Sequence, residues 1–398
     1  MSQETPVLFE EIPVAQGNKA LGIVTLNAEK SLNSLGFEML SALHDRLSQW
    51  KNDRRIVAVW LQGAGERAFC AGANIVRLYQ ALAEQREQLA ADVPEPFPVC
   101  DFARVFFTLE YSVIHLLRSF SKPVIAWGHG IVMGGGLGVM NAARFRIVTE
   151  KTRLAMPEVA IGLYPDAGAG WFLSRMPGKA GAFLGMTGTS INSRDALFVG
   201  LADHFIESRH KASLLAELTR LAWSDSDHSD SDKSNSDKSN SDSLRSLLEQ
   251  YAQASQPQLP AAQIEPNLPL INELLSPTQV GAAVASLVEA SLDDEWMTAS
   301  VQGLKRGCPM SIALAWEHLS RSRGLTVTEV LRNELVLSVN CCRRRDLQEG
   351  IRSRLIEKDN QPAWRHLSAA AVTHREVDEH FVLPPDVALS FPLLVDAR

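Results

Sequence analysis

Residues 122 to 175 decide the fold and read KPVIAWGHGIVMGGGLGVMNAARFRIVTEKTRLAMPEVAIGLYPDAGAGWFLSR. The apolar, β-branched run from Val124 to Trp127 predicts a short buried strand. The triplet Gly134 to Gly136 then leads into an apolar segment, which predicts a turn from a strand into a helix. Such a turn presents free backbone N–H groups, reinforced by the positive end of the helix dipole, and glycine lets a ligand oxygen approach them.

Two carboxylates follow the glycine triplet in the same stretch. Glu158 comes after Pro157 and Asp166 after Pro165, so each is predicted just inside a short helix, and Gly162 is predicted to end the first helix. For an arbitrary protein, capping of a helix N-terminus explains such acids, since negative charge there is favourable by up to about 1 kcal/mol. Beside a predicted oxygen-binding turn, a chemical role is favoured instead.

A second motif lies upstream and reads Phe69-Cys70-Ala71-Gly72-Ala73-Asn74-Ile75. Taken together in this order, the two motifs resemble those of the crotonase (enoyl-CoA hydratase/isomerase) superfamily, although Asn74 replaces the usual aspartate. The resemblance implies that the backbone N–H groups of Ala73 and Gly135 hold the oxygen of an acyl-CoA thioester. It implies that the substrate is bound beside Ala71, Gly72 and Gly134.

The expected fold is α/β. Leu21 to Leu26 and Val57 to Leu61 are predicted strands that alternate with predicted helices, and the resemblance implies a crotonase-type ββα spiral core. Capping boxes are predicted at 276–279 and 326–329. The expected regions are a core with the oxyanion hole over 1–205, a connecting region over 206–275 with a flexible Ser/Asp-rich insertion at 224–243, and a helical region covering the core over 276–398.

The side chains around the oxygen-binding turn determine which reaction the family member catalyses. Hydratases of the family carry a glutamate where this chain has Gly138, which argues against ordinary hydration. Dienoyl-CoA isomerases and 3-hydroxyisobutyryl-CoA hydrolases both have an aspartate where this chain has Asp166. The isomerases also have an acid at the position of Gly138, which this chain lacks. The phrase Phe106 to Tyr111 and the ending from Asn340 to Trp364 resemble the hydrolase branch.

This branch implies hydrolysis of a short 3-hydroxyacyl-CoA thioester, such as 3-hydroxyisobutyryl-CoA, in valine degradation. Glu158 is then either a nucleophile that forms a mixed anhydride or a general base for water. Asp166 is expected to hold the substrate hydroxyl and to raise the pKa of Glu158 by like-charge repulsion. Two alternatives stay open: an enoyl-CoA hydratase or isomerase, and a non-catalytic protein that binds acyl-CoA or RNA.

Glu110 and the basic residues near the C-terminus each allow two interpretations. Glu110 lies among apolar residues, and the sequence alone favours an exposed helical stripe. The resemblance instead implies that Glu110 contacts the substrate. For Arg343 to Arg345, a solvated or interfacial cluster is favoured over contact with CoA phosphates.

Composition bounds the remaining expectations. A net charge of −7 argues against a general nucleic-acid surface. The five cysteines have no metal-ligand spacing, and their odd number fits reduced thiols, so no metal site is expected. Without an apolar run of signal-peptide length, the protein is predicted to be cytoplasmic and not bound to membranes. No cofactor is expected besides the CoA of the substrate, and the resemblance implies a homo-oligomer, trimer or hexamer.

Overall fold

The structure is a computed structural model that describes residues 5–15, 17–90, 92–223 and 230–385. The chain divides into two compact units, each assembled from three segments. The first unit draws on Met1–Gly72, Leu116–Leu154 and Ile191–Ala262, and the second on Ala73–His115, Ala155–Ser190 and Gln263–Arg398. The sequence predicts three consecutive regions instead, with boundaries that this interleaved division does not follow.

The first unit contains a six-stranded sheet with the order β1-β2-β3-β5-β7-β9. β1 runs antiparallel to β2, and every other neighbouring pair is parallel. A smaller sheet has the order β4-β6-β8. The strands are β1 (Val7–Pro13), β2 (Ala20–Leu26), β3 (Ile56–Gly63), β4 (Ala68–Cys70), β5 (Val124–Gly128), β6 (Ile131–Met133), β7 (Phe145–Val148), β8 (Arg153–Ala155) and β9 (His204–Phe205).

Strands alternate with helices as the apolar pattern predicts. The early helices are α1 (Phe37–Asn52), α2 (Ile75–Glu87), α3 (Asp101–Arg118), α4 (Gly135–Ala142), α5 (Ala169–Leu173), α6 (Ala180–Thr187), α7 (Ser193–Phe198), α8 (Lys211–Arg220) and α9 (Asp230–Ser255). The later helices are α10 (Ile264–Leu274), α11 (Val280–Glu289), α12 (Glu295–Arg306), α13 (Pro309–Arg321), α14 (Val327–Cys342), α15 (Arg345–Ile351) and α16 (His374–His380).

The core of the first unit explains why the sheet forms. Trp60 on β3 and Trp127 on β5 are fully buried and stack with their ring centroids 5.6 Å apart. Leucines from α8 and α9 join the same buried cluster, among them Leu218, Leu244 and Leu248. The region after residue 206 is therefore part of this core, in contrast to the connecting role that the sequence predicts.

The Ser/Asp-rich insertion is the main local correction to the sequence prediction. Residues 224–229 lie outside the described part of the chain, but 230–243 are helical because α9 begins at Asp230. The buried leucines at 244 and 248 anchor the second half of α9, and extending an anchored helix costs less than nucleating a new one. A segment without apolar residues is thus helical through its neighbours.

The two predicted capping boxes have different outcomes. At Thr326 the reciprocal hydrogen bonds with Glu329 are present, so that prediction is confirmed. The prediction at 276–279 is wrong, because α11 begins after Gln279 and has no side-chain cap. Among the described residues from 276 to 385, helices α11 to α16 form as the sequence predicts for 276–398, and α10 lies in the segment that the sequence predicts to be connecting.

Candidate active site

The glycine triplet forms the turn into α4. Gly134 precedes the helix with a φ of 52°, and every residue of α4 from Gly135 onward is buried. As the first helical residue, Gly135 has an N–H group without an acceptor inside the helix. A Cβ added to Gly136 would lie 2.4 Å from the carbonyl oxygen of Cys70, so glycine is required for this close approach.

The upstream motif lies against the same turn in the first unit. Ala71 follows β4 and donates from its N–H to the carbonyl of Leu32 at 3.0 Å. Gly72 has a φ of 104°, and a Cβ added to it would lie 3.6 Å from the nitrogen of Gly135. Ala73 is the next residue in the chain and begins the second unit, where its carbonyl accepts from the N–H of Ile75 at 2.9 Å.

Three acids form a buried cluster in the second unit. Glu110 lies on α3, Glu158 begins the 3₁₀ turn Glu158–Ile161, and Asp166 lies in the turn before α5. Their exposures are 1%, 6% and 4%, respectively. The exposed stripe that the sequence alone favours for Glu110 is therefore wrong. An apolar surrounding is equally compatible with an acid that faces a polar cluster.

The hydrogen bonds of these acids are incomplete within the described residues. Asp166 accepts a hydrogen bond from the hydroxyl of Tyr111 at 2.6 Å. Both carboxyl oxygens of Glu110 and the Oε2 atom of Glu158 are buried and have no partner in the described part of the protein. Because a buried polar atom without a partner costs about 1–3 kcal/mol, this arrangement favours a ligand that supplies hydrogen-bond donors.

Burial and mutual repulsion shift the titration of all three acids. Burial raises the pKa of Glu158 and of Glu110 well above the ordinary value, and the charge of Asp166 raises both further. Burial also raises the pKa of Asp166 to about 7, against the hydrogen bond from Tyr111, which lowers it. The expected effect of Asp166 on Glu158 is thus present, but burial is the larger cause.

A fourth buried carboxylate, Glu334 on α14, was not predicted from the sequence. Its two oxygens accept from the N–H groups of Gly168 at 2.6 Å and Gly170 at 3.0 Å, at the start of α5. His318 lies 3.0 Å from the same carboxylate. Glu334, rather than Asp166, therefore satisfies this helix N-terminus. The available signal was an acid sharing a helical face with Val330 and Cys341.

The C-terminal motif supports the turn that carries Glu158. A Cβ added to Gly162 would lie 2.2 Å from the carbonyl oxygen of Asp346, and one added to Gly350 would lie 2.3 Å from Ile161. The N–H of Cys308 donates to the carbonyl of Val159 at 2.8 Å. The position of Glu158 thus depends on residues almost 200 positions away, which meet the turn through two glycines.

The arginines at 343–345 bind their own chain. Arg343 donates to the carbonyl of Phe97 at 2.7 Å, Arg344 donates to the carbonyl of Asn340 at 2.9 Å, and Arg345 pairs with Glu95 at 3.2 Å. The last two also line a cavity of about 520 Å³ in the second unit. The preference for a solvated or interfacial cluster over contact with CoA phosphates stays a prediction.

The raised pKa of Asp166 makes the stability depend on pH. Between about pH 4, where a free aspartate ionises, and about pH 7, the folded state binds a proton that the unfolded state has lost. Wild-type stability therefore falls as the pH rises through this range. Asp166→Asn, which imitates the neutral acid, removes this loss, so we expect its Tm to exceed that of the wild type by roughly 2–5 °C at pH 8 and to match it at pH 4.

Calorimetric melting curves at both pH values check this expectation. Asp101→Asn is the matched control, because the side chain of Asp101 is 88% exposed on α3, and it should leave the pH dependence unchanged. A gain for Asp166→Asn that is equal at pH 4 and pH 8 would contradict the role assigned to ionisation.

Comparison with known proteins now identifies the family. Residues 21–381 match the family described as enoyl-CoA hydratase/isomerase. The chain therefore belongs to this family, the crotonase superfamily, which confirms the prediction from the two glycine motifs.

The relatives narrow the resemblance to one branch. The mitochondrial 3-hydroxyisobutyryl-CoA hydrolase of Homo sapiens is 32% identical over 382 residues, which cover 96% of this chain and 90% of the relative. That of Danio rerio is 34% identical over 381 residues, 94% of this chain and 89% of the relative. The crystal structure of a carnitinyl-CoA dehydratase from Mycobacterium thermoresistibile superposes with a TM-score of 0.79 at 29% identity and covers 98% of this chain and 99% of that one. The predicted fold, a crotonase-type core with a helical C-terminal region, is confirmed.

Among residues 5–15, 17–90, 92–223 and 230–385, no helix is both long and apolar enough to cross a membrane. The same ranges contain no group of three or more His, Cys, Asp or Glu residues that could hold a metal ion.

Proposed function

We propose that this protein hydrolyses 3-hydroxyisobutyryl-CoA to 3-hydroxyisobutyrate and CoA. The observation that carries the proposal is the buried cluster of Glu110, Glu158 and Asp166, with unpaired oxygens on the first two. The protein belongs to the enoyl-CoA hydratase/isomerase family, and its human and zebrafish relatives are named 3-hydroxyisobutyryl-CoA hydrolases. The reaction belongs to valine degradation.

The substrate's hydroxyl group is the feature that this cluster recognises. Glu110 and Asp166 offer carboxyl oxygens in surroundings from which water is largely excluded. A 3-hydroxyl group supplies the donor that these oxygens need, whereas an acyl group without it leaves them buried and unpaired. A site built to hydrogen-bond a hydroxyl rejects an analogue that lacks it far more strongly than an apolar pocket rejects a methylene group.

Glu158 is the group that we assign to the bond-breaking step. In one route, a carboxylate oxygen of Glu158 attacks the thioester carbonyl carbon, the C–S bond breaks and CoA leaves as a thiolate that takes up a proton. Water then cleaves the mixed anhydride, which releases 3-hydroxyisobutyrate and restores the carboxylate of Glu158. In the other route, Glu158 removes a proton from the attacking water.

We assign the charge that develops on the thioester oxygen to backbone donors. The family resemblance implies the N–H groups of Ala73 and Gly135 for this role, and the free N–H at the start of α4 supports Gly135. One donor of this kind contributes roughly 100- to 1,000-fold to the rate.

Hydration of an enoyl-CoA is the rival reaction, and the side chains disfavour it. Family hydratases use a second glutamate at the position of Gly138, which lies buried within α4 and carries no acid. Without this second glutamate, half of the acid–base pair that family hydratases use for syn addition of water is missing.

The test measures the release of CoA thiol from (S)-3-hydroxyisobutyryl-CoA with a thiol reagent. Isobutyryl-CoA, which lacks the hydroxyl group, is assayed in parallel. We expect kcat/KM for the hydroxylated substrate to exceed that for isobutyryl-CoA by about 10²-fold or more. We expect Glu110→Gln to narrow this ratio at least tenfold, because it removes one buried acceptor. Comparison with 3-hydroxypropionyl-CoA shows whether the 2-methyl group matters.

Glu84→Gln provides the matched control, since the side chain of Glu84 is 62% exposed on α2, and it should keep the full ratio. Consumption of crotonyl-CoA without release of thiol would replace the hydrolase with a hydratase. Equal rates on the two saturated substrates would refute recognition of the hydroxyl.

We also propose a cytosol-like compartment and a homo-oligomeric assembly for this protein. We infer a cytosol-like, reducing environment because the cysteines of the described residues are buried and form no disulfide, while the human and zebrafish relatives are mitochondrial by name. The homo-oligomer rests on the family resemblance, and a measured molar mass in solution tests it.

A further inference from the structure

A chain of hydroxyl groups runs from Asp166 into α14. The hydroxyl of Tyr111 lies 2.6 Å from Oδ2 of Asp166 and 2.7 Å from Oγ of Ser338. Oγ of Ser338 lies 2.9 Å from the hydroxyl of Tyr164, which donates to the backbone carbonyl of Glu334 at 2.8 Å. All five residues are 4% exposed or less, so bulk water does not compete for these contacts.

This chain of hydroxyl groups has fewer hydrogen atoms than hydrogen-bond contacts when Asp166 is ionised. Tyr111, Ser338 and Tyr164 each bring one hydroxyl hydrogen, whereas the chain contains four contacts between oxygen atoms. When Asp166 is ionised, Tyr111 donates to it and Tyr164 donates to the carbonyl. Ser338 then serves only one of its two phenol neighbours, and the remaining pair of oxygens meets without a hydrogen.

A proton on Asp166 removes the deficit. Asp166 then donates to Tyr111, Tyr111 to Ser338, Ser338 to Tyr164 and Tyr164 to the carbonyl of Glu334. Every contact contains one hydrogen, and hydrogen bonds aligned in one direction strengthen one another in a buried chain.

We propose that Tyr111, Ser338 and Tyr164 are positioning residues that keep Asp166 protonated in the resting protein. The other carboxyl oxygen of Asp166 is then a neutral acceptor for the substrate's hydroxyl group. Glu158 consequently faces a neutral neighbour and is the acid that ionises for the reaction. This consequence for catalysis rests on the proposed function, whereas the protonation of Asp166 does not.

The buried acids around Asp166 act in the same direction. The negative charge of Glu334 on α14 raises the pKa of Asp166. A charge on Asp166 would likewise repel the carboxylates of Glu110 on α3 and Glu158 in its 3₁₀ turn. His318 on α13 pairs with Glu334, and Cys341 on α14 adds its thiol near Tyr164. Together with the burial that raises the pKa of Asp166 to about 7, these groups support the proton count.

The first measurement needs no substrate. Infrared spectra of protein with ¹³C-labelled aspartate carboxyl groups, recorded for the wild type and for Asp166→Asn between about pH 4 and pH 9, isolate the carboxyl band of Asp166. We expect a protonated band in the wild type at pH 6. Ser338→Ala removes two contacts and one hydrogen, so the deficit disappears, and the pKa of Asp166 should fall by about one unit, which corresponds to one hydrogen bond.

Three variants separate this effect from general loosening of the site. Ser338→Thr keeps the hydroxyl and should behave as the wild type. Tyr164→Phe also removes the deficit and should lower the pKa of Asp166, and it takes the place of Ser338→Ala if that variant does not fold. Tyr111→Phe removes the donor to the carboxylate and should raise the pKa, a shift of opposite sign.

The second measurement is the pH profile of CoA release. In Ser338→Ala an ionised Asp166 repels the charge of Glu158, so the rising limb of kcat/KM should move to higher pH by about one unit. An ionised Asp166 in the wild type at pH 6, or an unchanged band in Ser338→Ala, would overturn the proposal. Absence of thiol release with the expected infrared shifts would refute the proposed function and leave the proton chain standing.

Discussion

Glu158→Gln is expected to lower kcat for CoA release by about 10³-fold or more. A glutamine amide can neither form the mixed anhydride nor take a proton from water, so both routes lose the group that they depend on. The amide is close in size to the carboxyl group and neutral, as the buried acid is when protonated, so the fold should tolerate it. The measurement is steady-state thiol release beside the wild type, with Glu84→Gln as the exposed control.

The same assay predicts a pH dependence for the wild type. Because burial raises the pKa of Glu158, the reactive carboxylate form is scarce at low pH, and the rate should rise as the pH passes through that raised pKa. If Glu158→Gln retained more than a tenth of the wild-type rate, Glu158 would not be the central residue.

A single turnover in ¹⁸O-labelled water separates the two routes. If water attacks the Glu158 side of a mixed anhydride, the first product molecule carries an unlabelled oxygen from the enzyme. If Glu158 acts as a general base, every product molecule carries one oxygen from labelled water. Accumulation of label in Glu158 itself would identify the anhydride.

Glu334→Gln is expected to destabilise the protein by about 3 kcal/mol. The carboxylate of Glu334 is fully buried, accepts from the N–H groups of Gly168 and Gly170, and pairs with His318. An amide can offer an oxygen to only one of the two N–H groups and turns its own donor towards the other. Each buried hydrogen-bonding group that loses its partner costs about 1–3 kcal/mol, and more than one group is affected here.

Denaturant unfolding measures this loss. Glu329→Gln is the matched control because it lies in the first turn of the same helix, where the carboxylate is exposed. Glutamine keeps the oxygen that the capping box needs, so only the negative charge is lost, which costs about 0.3–1 kcal/mol. We also expect thiol release to weaken in Glu334→Gln, since α5 directly follows the turn of Asp166. A loss of stability no larger than that of the control would show that the pairing with His318 and α5 contributes little.

The family was predictable because its motifs act through the backbone. A side chain at Gly72 or Gly136 would meet neighbouring atoms, so glycine is required at these positions and the sequence shows it directly. Gly138 could be interpreted equally well from the sequence, since the missing acid at this position argues against ordinary hydration without any knowledge of the packed structure. The alternation of strands and helices followed from apolar periodicity, and α1, β2 and β3 lie close to their predicted positions.

The surroundings of the acids were not predictable to the same degree. The residues next to Glu110 are apolar both for a helix stripe that faces water and for one that faces a polar cluster, and only the packed structure shows an exposure of 1%. Glu334 and Ser338 lie more than 160 positions from Asp166 and have no local motif. The helix that begins at Asp230 likewise depends on leucines beyond the polar segment.

By itself, the sequence determined the family, the succession of strands and helices and the glycine turns, because each depends on neighbouring residues or on a fixed spacing. For the same reason it predicted Glu158 and Asp166 as candidate site residues. Tertiary structure alone decided that Glu110 is buried, that Glu334 rather than Asp166 caps α5, and that three hydroxyls from distant segments meet Asp166. Burial, hydrogen-bond partners and pKa are properties of the surroundings in space, and those surroundings exist only after segments far apart in the chain have packed together.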